Sequence, residues 1–219
     1  MIDPRTIPVA RVDSHLPAVV PDRLQPTALR QRFASPPAWS PEIRQEPVFT
    51  QRPPHPAAVL LPVVMRATPM LLLTQRTAHL PTHAGQIAFP GGKMDAEDAS
   101  PTHAALREAW EEVGLAPGAV EVLGLLPEYT TGTAFVITPV VGLVDPKATI
   151  APNPHEVAET FEVPLAYLMN PAHHRLHEWN WEGHLRRWYS MPYQDGPAER
   201  YIWGATAGML RNLYRLLSA

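Results

Sequence analysis

Proline is distributed unevenly along this chain of 219 residues, and that distribution limits where regular structure can form. Twelve of the 27 prolines lie in the first 56 residues, where each removes a backbone donor and disfavours a helix at the residue before it. Within this stretch, residues 26–33 could form one or two helical turns. The sequence therefore predicts a largely extended arm at 1–56, lying on the core or on a partner, followed by one folded domain at 57–219.

After the arm, the sequence changes to short apolar runs that are typical of strands. We predict strands of one mixed sheet at 57–65, 70–76, 86–89, 120–126 and 135–144. A hairpin is predicted at 175–181 and 184–191, on either side of Glu182-Gly183. One helix is predicted to begin after Ser100-Pro101 and to end at Gly114, and another to run from about Trp203 to Leu217.

The overall charge and composition exclude several classes of function. A formal net charge of −3 gives no long-range attraction for nucleic acid or an anionic membrane, so neither is predicted as a partner. The apolar runs fall short of the roughly 20 residues that span a bilayer. The absence of cysteine excludes disulfides and thiolate-bound zinc. With no secretory pattern at the N-terminus, we expect a cytoplasmic protein that holds a small anionic substrate by local charges.

The predicted helix after Ser100 places three carboxylates on one side. With Glu108 at zero, Glu111 lies near about 300° and Glu112 near about 40° around the helix axis. The opposite side is apolar and is expected to pack on the sheet; it comprises Leu106, Ala109, Trp110 and Val113. Arg107 is four residues before Glu111, a spacing that favours an ion pair.

Helix propensity does not explain this acidic side. The carboxylates repel one another, and the helix dipole disfavours negative charge in the last turn. A divalent cation would offset both effects, whereas the alternative is an ordinary solvated helix surface. The preceding segment, Phe89-Pro90-Gly91-Gly92-Lys93, favours the cation, because glycine lets the backbone approach an ion or a phosphate closely.

The segment from Gly92 to Leu115 resembles the signature of the Nudix hydrolases, G-x5-E-x7-R-E-U-x-E-E-x-G-U, where U is aliphatic. The matching residues are Arg107, Glu108, Glu111, Glu112 and Gly114. Asp98 stands at the early glutamate position, and eight rather than seven residues separate it from Arg107. The resemblance implies an α/β protein, a Nudix-type α/β/α sandwich around a mixed β-sheet, that hydrolyses a diphosphate bond with Mg²⁺ or Mn²⁺.

An upstream segment is similar to the coenzyme A pyrophosphatase branch of that family, whose signature is L-L-T-x-R-[SA]-x3-R-x3-G-x3-F-P-G-G. The corresponding residues are Leu72-Leu73-Thr74-Gln75-Arg76-Thr77, Gly85 and Phe89-Pro90-Gly91-Gly92. Thr77 replaces serine or alanine, and Pro81 stands at the usual arginine. The resemblance implies that coenzyme A is split into 3′,5′-ADP and 4′-phosphopantetheine.

The resemblance also implies roles for individual residues. Metal ligands are expected to be Glu108, Glu111 and Glu112, with the carbonyl of Gly91 or Gly92 as a further oxygen. Arg107 is expected to orient a carboxylate. Glu156 is the first candidate for a general base and Glu159 the second. The expected substrate contacts are Arg76, Gly85, Phe89, Gly91, Gly92 and Lys93.

Three alternatives stay open at this point. Pro81 leaves room for another nucleotide-derived substrate, such as ADP-ribose or a damaged nucleotide. A Nudix-fold module that senses a nucleotide without cleaving it is a second reading, and a homodimer formed through the arm or the hairpin is a third. His173, His174 and His177 are expected on the surface of a turn.

Overall fold

The computed structural model describes residues 3–48, 50–79, 83–181 and 184–219; Pro81 and the predicted turn at Glu182-Gly183 lie outside this set. Its helices are α1 Pro26–Ala34, α2 Pro101–Val113, α3 Leu165–Leu168 and α4 Gly204–Ser218. Its strands are β1 Val9–Val12, β2 His55–Val64, β3 Met70–Arg76, β4 Ile87–Ala88, β5 Gly91–Lys93, β6 Val120–Leu125, β7 Tyr129–Thr130, β8 Phe135–Val144, β9 Val157–Pro164, β10 Arg175–Trp181, β11 His184–Asp195 and β12 Ala198–Trp203.

The strands form two sheets. The central sheet has the order β4-β3-β2-β8-β6, with β5 added to β2, β7 to β8 and β9 to β3. Strands β2 and β8 run parallel over their full length, whereas their other neighbours are antiparallel, so the sheet is mixed as predicted. The second sheet is antiparallel, with the order β1-β10-β11-β12, and it contains the predicted hairpin as its middle pair.

Alternate side chains of β2 pack against helices on opposite faces of the central sheet. Ala58 and Leu60 belong to one buried cluster with Ala109 of α2. Leu61, on the other face, belongs to a second cluster with Leu210 of α4. Helix α4 also contacts β11 and β12. The α/β/α arrangement is therefore confirmed, with the second sheet covering the outer side of α4.

The ends of α2 are set by local sequence. Ser100 caps the first turn by accepting a hydrogen bond from the backbone N–H of His103 at 3.1 Å, and Pro101 occupies the first helical position, where its missing N–H costs nothing. Gly114 ends the helix in the left-handed region, at φ 65°, which glycine adopts without steric penalty. These caps fix the register of the acidic side relative to the sheet.

The proline-rich arm lies on the core. Val19, Leu24 and Leu29 are buried in the same cluster as α4, and β1 pairs with β10. The carboxylate of Asp13, 1% exposed, forms an ion pair with the guanidinium of Arg211 on α4 at 3.0 Å. Among the described residues, no helix has both the length and the apolar composition needed to cross a bilayer.

Candidate active site

The carboxylates of α2 are buried to very different extents. The side chain of Glu112 is 5% exposed, that of Glu108 17% and that of Glu111 52%. Trp110, predicted to face the sheet, is 54% exposed, so that prediction is wrong. The buried residues are Ala104, Ala105, Ala109, Glu112 and Val113. Ala104 lies near about 320° on the helix wheel, and the other four lie between about 40° and 140°. The buried side of α2 therefore includes Glu112 in place of the predicted Trp110, and the carboxylate of Glu112 faces β5.

Two glycines of β5 lie against the carboxylates of Glu112 and Glu108. The backbone N–H of Gly91 donates a hydrogen bond to Glu112 at 3.1 Å. A Cβ atom on Gly92 would lie 2.6 Å from the carboxylate carbon of Glu108, which is far inside van der Waals contact. Hence residue 92 must be glycine for Glu108 to hold this position. The expected role of the Gly92 carbonyl as a metal ligand stays a prediction.

Arg107 donates hydrogen bonds to three carboxylates and anchors the loop before α2. It donates to both oxygens of Asp98, at 3.1 and 2.8 Å, and its Nη1 donates to Glu108 and Glu111 at 3.0 Å each. The pair with Glu111 was expected, whereas that with Asp98 was missed. Hydrogen bonds from Arg107 hold the pKa of Asp98 well below its usual range. The acidic residue at the early signature position was the available signal for this contact.

Glu112 occupies an electrostatic environment that disfavours its charge. Burial raises the pKa of Glu112 to about 7, and the nearby carboxylates of Glu108 and Glu156 add to the rise, against the opposing effects of the Gly91 amide and Arg76. Burial likewise raises the pKa of Glu108, opposed by Arg107. Two partly desolvated carboxylates with a third beside them form a site that gains from added positive charge.

Arg76, at the end of β3, lies on the same face of the sheet as Glu112. Its Nη1 atom is 3.5 Å from Glu112 Oε1, and its Nε is buried with no partner among the described residues. The guanidinium therefore retains donors for an anion.

The two candidates for a general base differ in position. Glu156 lies in a loop that is tied to both flanks of the site: Asn153 N–H donates to the carbonyl of Glu112 at 2.8 Å, and Thr77 N–H donates to that of Glu156 at 3.0 Å. Glu159, on β9, pairs in register with Gln75, and its carboxylate accepts hydrogen bonds from the guanidinium of Arg200.

The structure contradicts Glu159 as a base. Its strand neighbour Phe161 packs in the cluster on the α4 face of the sheet, and Arg200 stacks over that ring at 4.4 Å. Glu159 thus belongs to the face opposite the α2 carboxylates, and Arg200 lowers its pKa. Glu156 is the remaining candidate.

Two predicted substrate contacts, Phe89 and Lys93, are placed differently from the expectation, and a third, Gly85, stays a prediction. The side chain of Phe89 is 2% exposed within the core, so it supports the loop from below and cannot touch a ligand. Lys93 pairs with Ala57 and has its ammonium 5.9 Å from the ring of Phe135, on the face opposite Glu108. Gly85, at φ 69°, makes an exposed turn before β4, and a contact there stays a prediction.

The donor set fits a hard divalent cation, although its geometry is not preformed. Among the described residues, no three His, Asp or Glu side chains already converge as ligands. The reason is that Arg107 draws Glu108 and Glu111 together, whereas the Gly91 amide holds Glu112. The flexible carboxylates nevertheless supply the oxygen ligands that Mg²⁺ and Mn²⁺ prefer, and burial raises the pKa of Glu108 and of Glu112.

Comparison with known proteins shows which family this chain resembles. A family model described as the NUDIX domain matches residues 53–188. The chain is 44% identical over 174 residues to a protein of Shigella flexneri serotype 5b described as "Uncharacterized Nudix hydrolase NudL", covering 79% of this chain and 86% of that one. A Citrobacter koseri protein of the same description is 48% identical over 158 residues, covering 72% and 80%. The solved structure of a Nudix hydrolase from M. smegmatis, RenU, aligns with 29% identity and a TM-score of 0.44, covering 52% of this chain and 73% of that one.

Proposed function

Because the chain belongs to the Nudix hydrolase family, which acts on diphosphate bonds, we propose that its substrate is coenzyme A or an acyl-coenzyme A. The products are 3′,5′-ADP and 4′-phosphopantetheine or its acylated form. Mg²⁺ or Mn²⁺ is the proposed cofactor and the cytoplasm the proposed compartment. No nucleic acid, membrane or obligatory second copy is required by this function.

The observation that carries the proposal is that the two sequence motifs meet at one carboxylate. Arg76 belongs to the upstream segment that is similar to the coenzyme A pyrophosphatase branch, and Glu112 belongs to the Nudix signature. Their side chains approach to 3.5 Å. Gly91, where the two motifs meet, donates its backbone N–H to the same carboxylate. A diphosphate held by Arg76 would therefore lie beside the acidic side of α2.

Each residue has a distinct task in this proposal. Glu108, Glu111 and Glu112 hold the cation, which when bound neutralises phosphate charge and acidifies a water molecule. Arg107 keeps two of these carboxylates in place through its anchor on Asp98. Arg76 offers guanidinium donors to a phosphate oxygen.

Hydrolysis requires one water molecule and one proton acceptor. The water oxygen forms a bond to one phosphorus of the diphosphate, and the bond from that phosphorus to the bridging oxygen breaks. Glu156 accepts a proton from the attacking water. Two phosphomonoesters leave the site, and no covalent intermediate with the protein is formed.

The test is coenzyme A hydrolysis by the full chain with Mg²⁺ or Mn²⁺, with the products resolved by chromatography. Wild type is expected to release 3′,5′-ADP, and Glu112→Gln to reduce the rate at least about 100-fold. Glu97→Gln changes an exposed glutamate in the loop before α2 and is expected to retain the wild-type rate. Absence of 3′,5′-ADP at high enzyme concentration would refute the substrate. Equal rates in Glu112→Gln and wild type would assign the activity to a contaminant and favour a nucleotide-sensing module.

A further inference from the structure

The loop that carries Glu156 has a proline on each side of one asparagine, in the segment Pro152-Asn153-Pro154-His155. Each proline disfavours a helix at the residue before it and has no N–H of its own. The loop therefore has few backbone donors with which to hold its shape, and those of Asn153, His155 and Glu156 become important.

The loop is fixed at both ends to elements of the candidate site. The carbonyls in the last turn of a helix have no partner within that helix, and the carbonyl of Glu112 in α2 accepts a hydrogen bond from Asn153 N–H at 2.8 Å. At the other end, Thr77 N–H donates to the carbonyl of Glu156 at 3.0 Å. The loop therefore connects the helix that carries the proposed metal ligands to the end of β3, next to Arg76.

Asn153 accepts three further hydrogen bonds from within the loop. Its side-chain Oδ1 accepts from His155 N–H at 3.1 Å, which is an Asx turn, in which a side-chain oxygen takes the place of a backbone acceptor. Its backbone carbonyl accepts from the amides of Glu156 at 3.0 Å and of Val157 at 2.8 Å. The path of the loop thus depends on Asn153, and of these three bonds the one to His155 requires its side chain.

The carboxylate of Glu156 lies near two of the proposed metal ligands. Burial raises the pKa of Glu108 and of Glu112, and the charge of Glu156 adds to both shifts. Glu156 itself is half-buried. Its position matters, because a misplacement of about 1 Å at a catalytic group lowers the rate on the order of 100-fold.

We propose that Asn153 is a positioning residue, whose side-chain oxygen fixes the loop that presents Glu156 to the attacking water. This inference rests on the proposed hydrolysis with Glu156 as the proton acceptor, and it does not depend on which nucleotide is the substrate. Asn153 acts through Glu156 and not on the substrate. Loss of its Oδ1 is therefore expected to lower kcat and to leave KM nearly unchanged.

Three variants separate this role from a general loss of a turn. Asn153→Ala removes the acceptor and is expected to lower kcat at least about tenfold, with KM within about twofold of wild type. Asn153→Asp keeps an Oδ acceptor and is expected to hold kcat within about threefold of wild type. Asn170→Ala is the matched control, because Asn170 Oδ1 accepts from Ala172 N–H at 3.0 Å in a second Asn-Pro turn, which carries none of the proposed site residues. It is expected to keep the wild-type kcat.

A double-mutant cycle tests whether Asn153 acts through Glu156. Glu156→Gln alone is expected to lower kcat at least about 100-fold, and adding Asn153→Ala is expected to change the remaining kcat by less than about twofold. Multiplied losses in the double variant, or a wild-type rate in Glu156→Gln, would overturn the proposal. All rates are measured with whichever of coenzyme A, ADP-ribose and an oxidised nucleoside triphosphate the wild type hydrolyses fastest, so that a wrong substrate assignment leaves this test intact.

Amide hydrogen exchange of the substrate-free chain, followed by NMR, tests the loop without any reaction. The N–H groups of residues 155–157 are expected to exchange at least about tenfold faster in Asn153→Ala than in wild type. The amides of α4 are expected to keep their wild-type exchange rates, which shows that the variant is folded. Unchanged exchange at His155 in the folded variant would refute the proposal, whatever substrate the protein hydrolyses.

Discussion

Replacement of Gly92 by alanine should reduce the rate of hydrolysis, whereas replacement of the adjacent Gly91 should reduce the stability of the fold. At Gly92 a Cβ atom would lie 2.6 Å from the carboxylate carbon of Glu108. This carboxylate ends a flexible side chain and can move, so we expect Gly92→Ala to change the free energy of unfolding by less than about 1 kcal/mol. Relief of the contact needs a shift of roughly 1 Å, and a misplacement of that size at a catalytic group lowers the rate on the order of 100-fold.

Replacement of Gly91 should have a different result. Its Cβ atom would lie 2.4 Å from the carbonyl oxygen of Ala58 and 2.6 Å from the Cα of Val59, and its φ is 155°. Both contacts are with backbone atoms of β2, which cannot move aside without disturbing the sheet. We expect Gly91→Ala to destabilise the fold by about 2 kcal/mol or more.

Urea unfolding and coenzyme A hydrolysis, measured on both variants, provide the assay. The expected pattern is a stable, nearly inactive Gly92→Ala and a destabilised Gly91→Ala. Wild-type kcat/KM in Gly92→Ala would show that the position of Glu108 against this glycine is irrelevant to hydrolysis. Wild-type stability in Gly91→Ala would refute the close approach of β5 to β2.

Three further predictions concern the arm, pH and Arg107. Asp13→Ala removes one of the two carboxylates that pair with the buried guanidinium of Arg211, and Glu42 remains as the other. The change should cost about 1–3 kcal/mol in urea unfolding. The exposed control Asp22→Ala should stay within about 0.5 kcal/mol, and equal losses would contradict a docked arm. Burial lowers the pKa of His174 to about 4, so below its ordinary 6.5 the unfolded chain binds more protons than the folded one. Glu112 makes an opposite contribution because its pKa is raised to about 7, so the test uses Glu112→Gln. In this variant the unfolding free energy should fall by up to about 3 kcal/mol between pH 6.5 and 4, and a pH-independent urea midpoint would argue against it. Arg107→Lys loses the two-point carboxylate contact and should lower kcat about tenfold with KM unchanged; a change in KM alone would mean that Arg107 binds substrate.

The sequence predicted the elements whose local pattern is strong. Strands β2 and β8 are long apolar runs, and α2 has a serine cap and a glycine stop, so their positions agree with the prediction to within one or two residues. Strand β5 was missed because Gly91 and Gly92 have low strand propensity, and only pairing with β2 makes them a strand. Strand β9 was missed because its glutamates interrupt the apolar pattern.

The sequence did not predict the ion pairs and hydrogen bonds between residues that are far apart along the chain. His174 was predicted on the surface, and that prediction is wrong: it is fully buried. Its Nδ1 accepts from Arg211 at 3.0 Å, and its Nε2 donates to the carbonyl of Leu168 at 2.7 Å. His177 is also buried, between Ser190 and the carbonyl of Ile7. These partners lie up to 170 residues away, and no local pattern indicates them.

In the candidate site, too, the local pattern was predicted from the sequence and the long-range contacts were not. The spacing of the glutamates predicted one acidic side of α2, but the rotation that buries Glu112 and exposes Trp110 depends on packing against the sheet. The contact between Arg76 and Glu112 joins segments 36 positions apart. The resemblance of both segments to one enzyme branch indicated a shared site, and the structure gives the distance.

The measurement that tests the proposed substrate most directly is a comparison of kcat/KM for coenzyme A, ADP-ribose and an oxidised nucleoside triphosphate with Mn²⁺. Coenzyme A is expected to exceed the others by at least about tenfold, with 3′,5′-ADP as a product and the activity lost in Glu112→Gln. A higher kcat/KM for ADP-ribose or the oxidised nucleotide would contradict the assignment of coenzyme A.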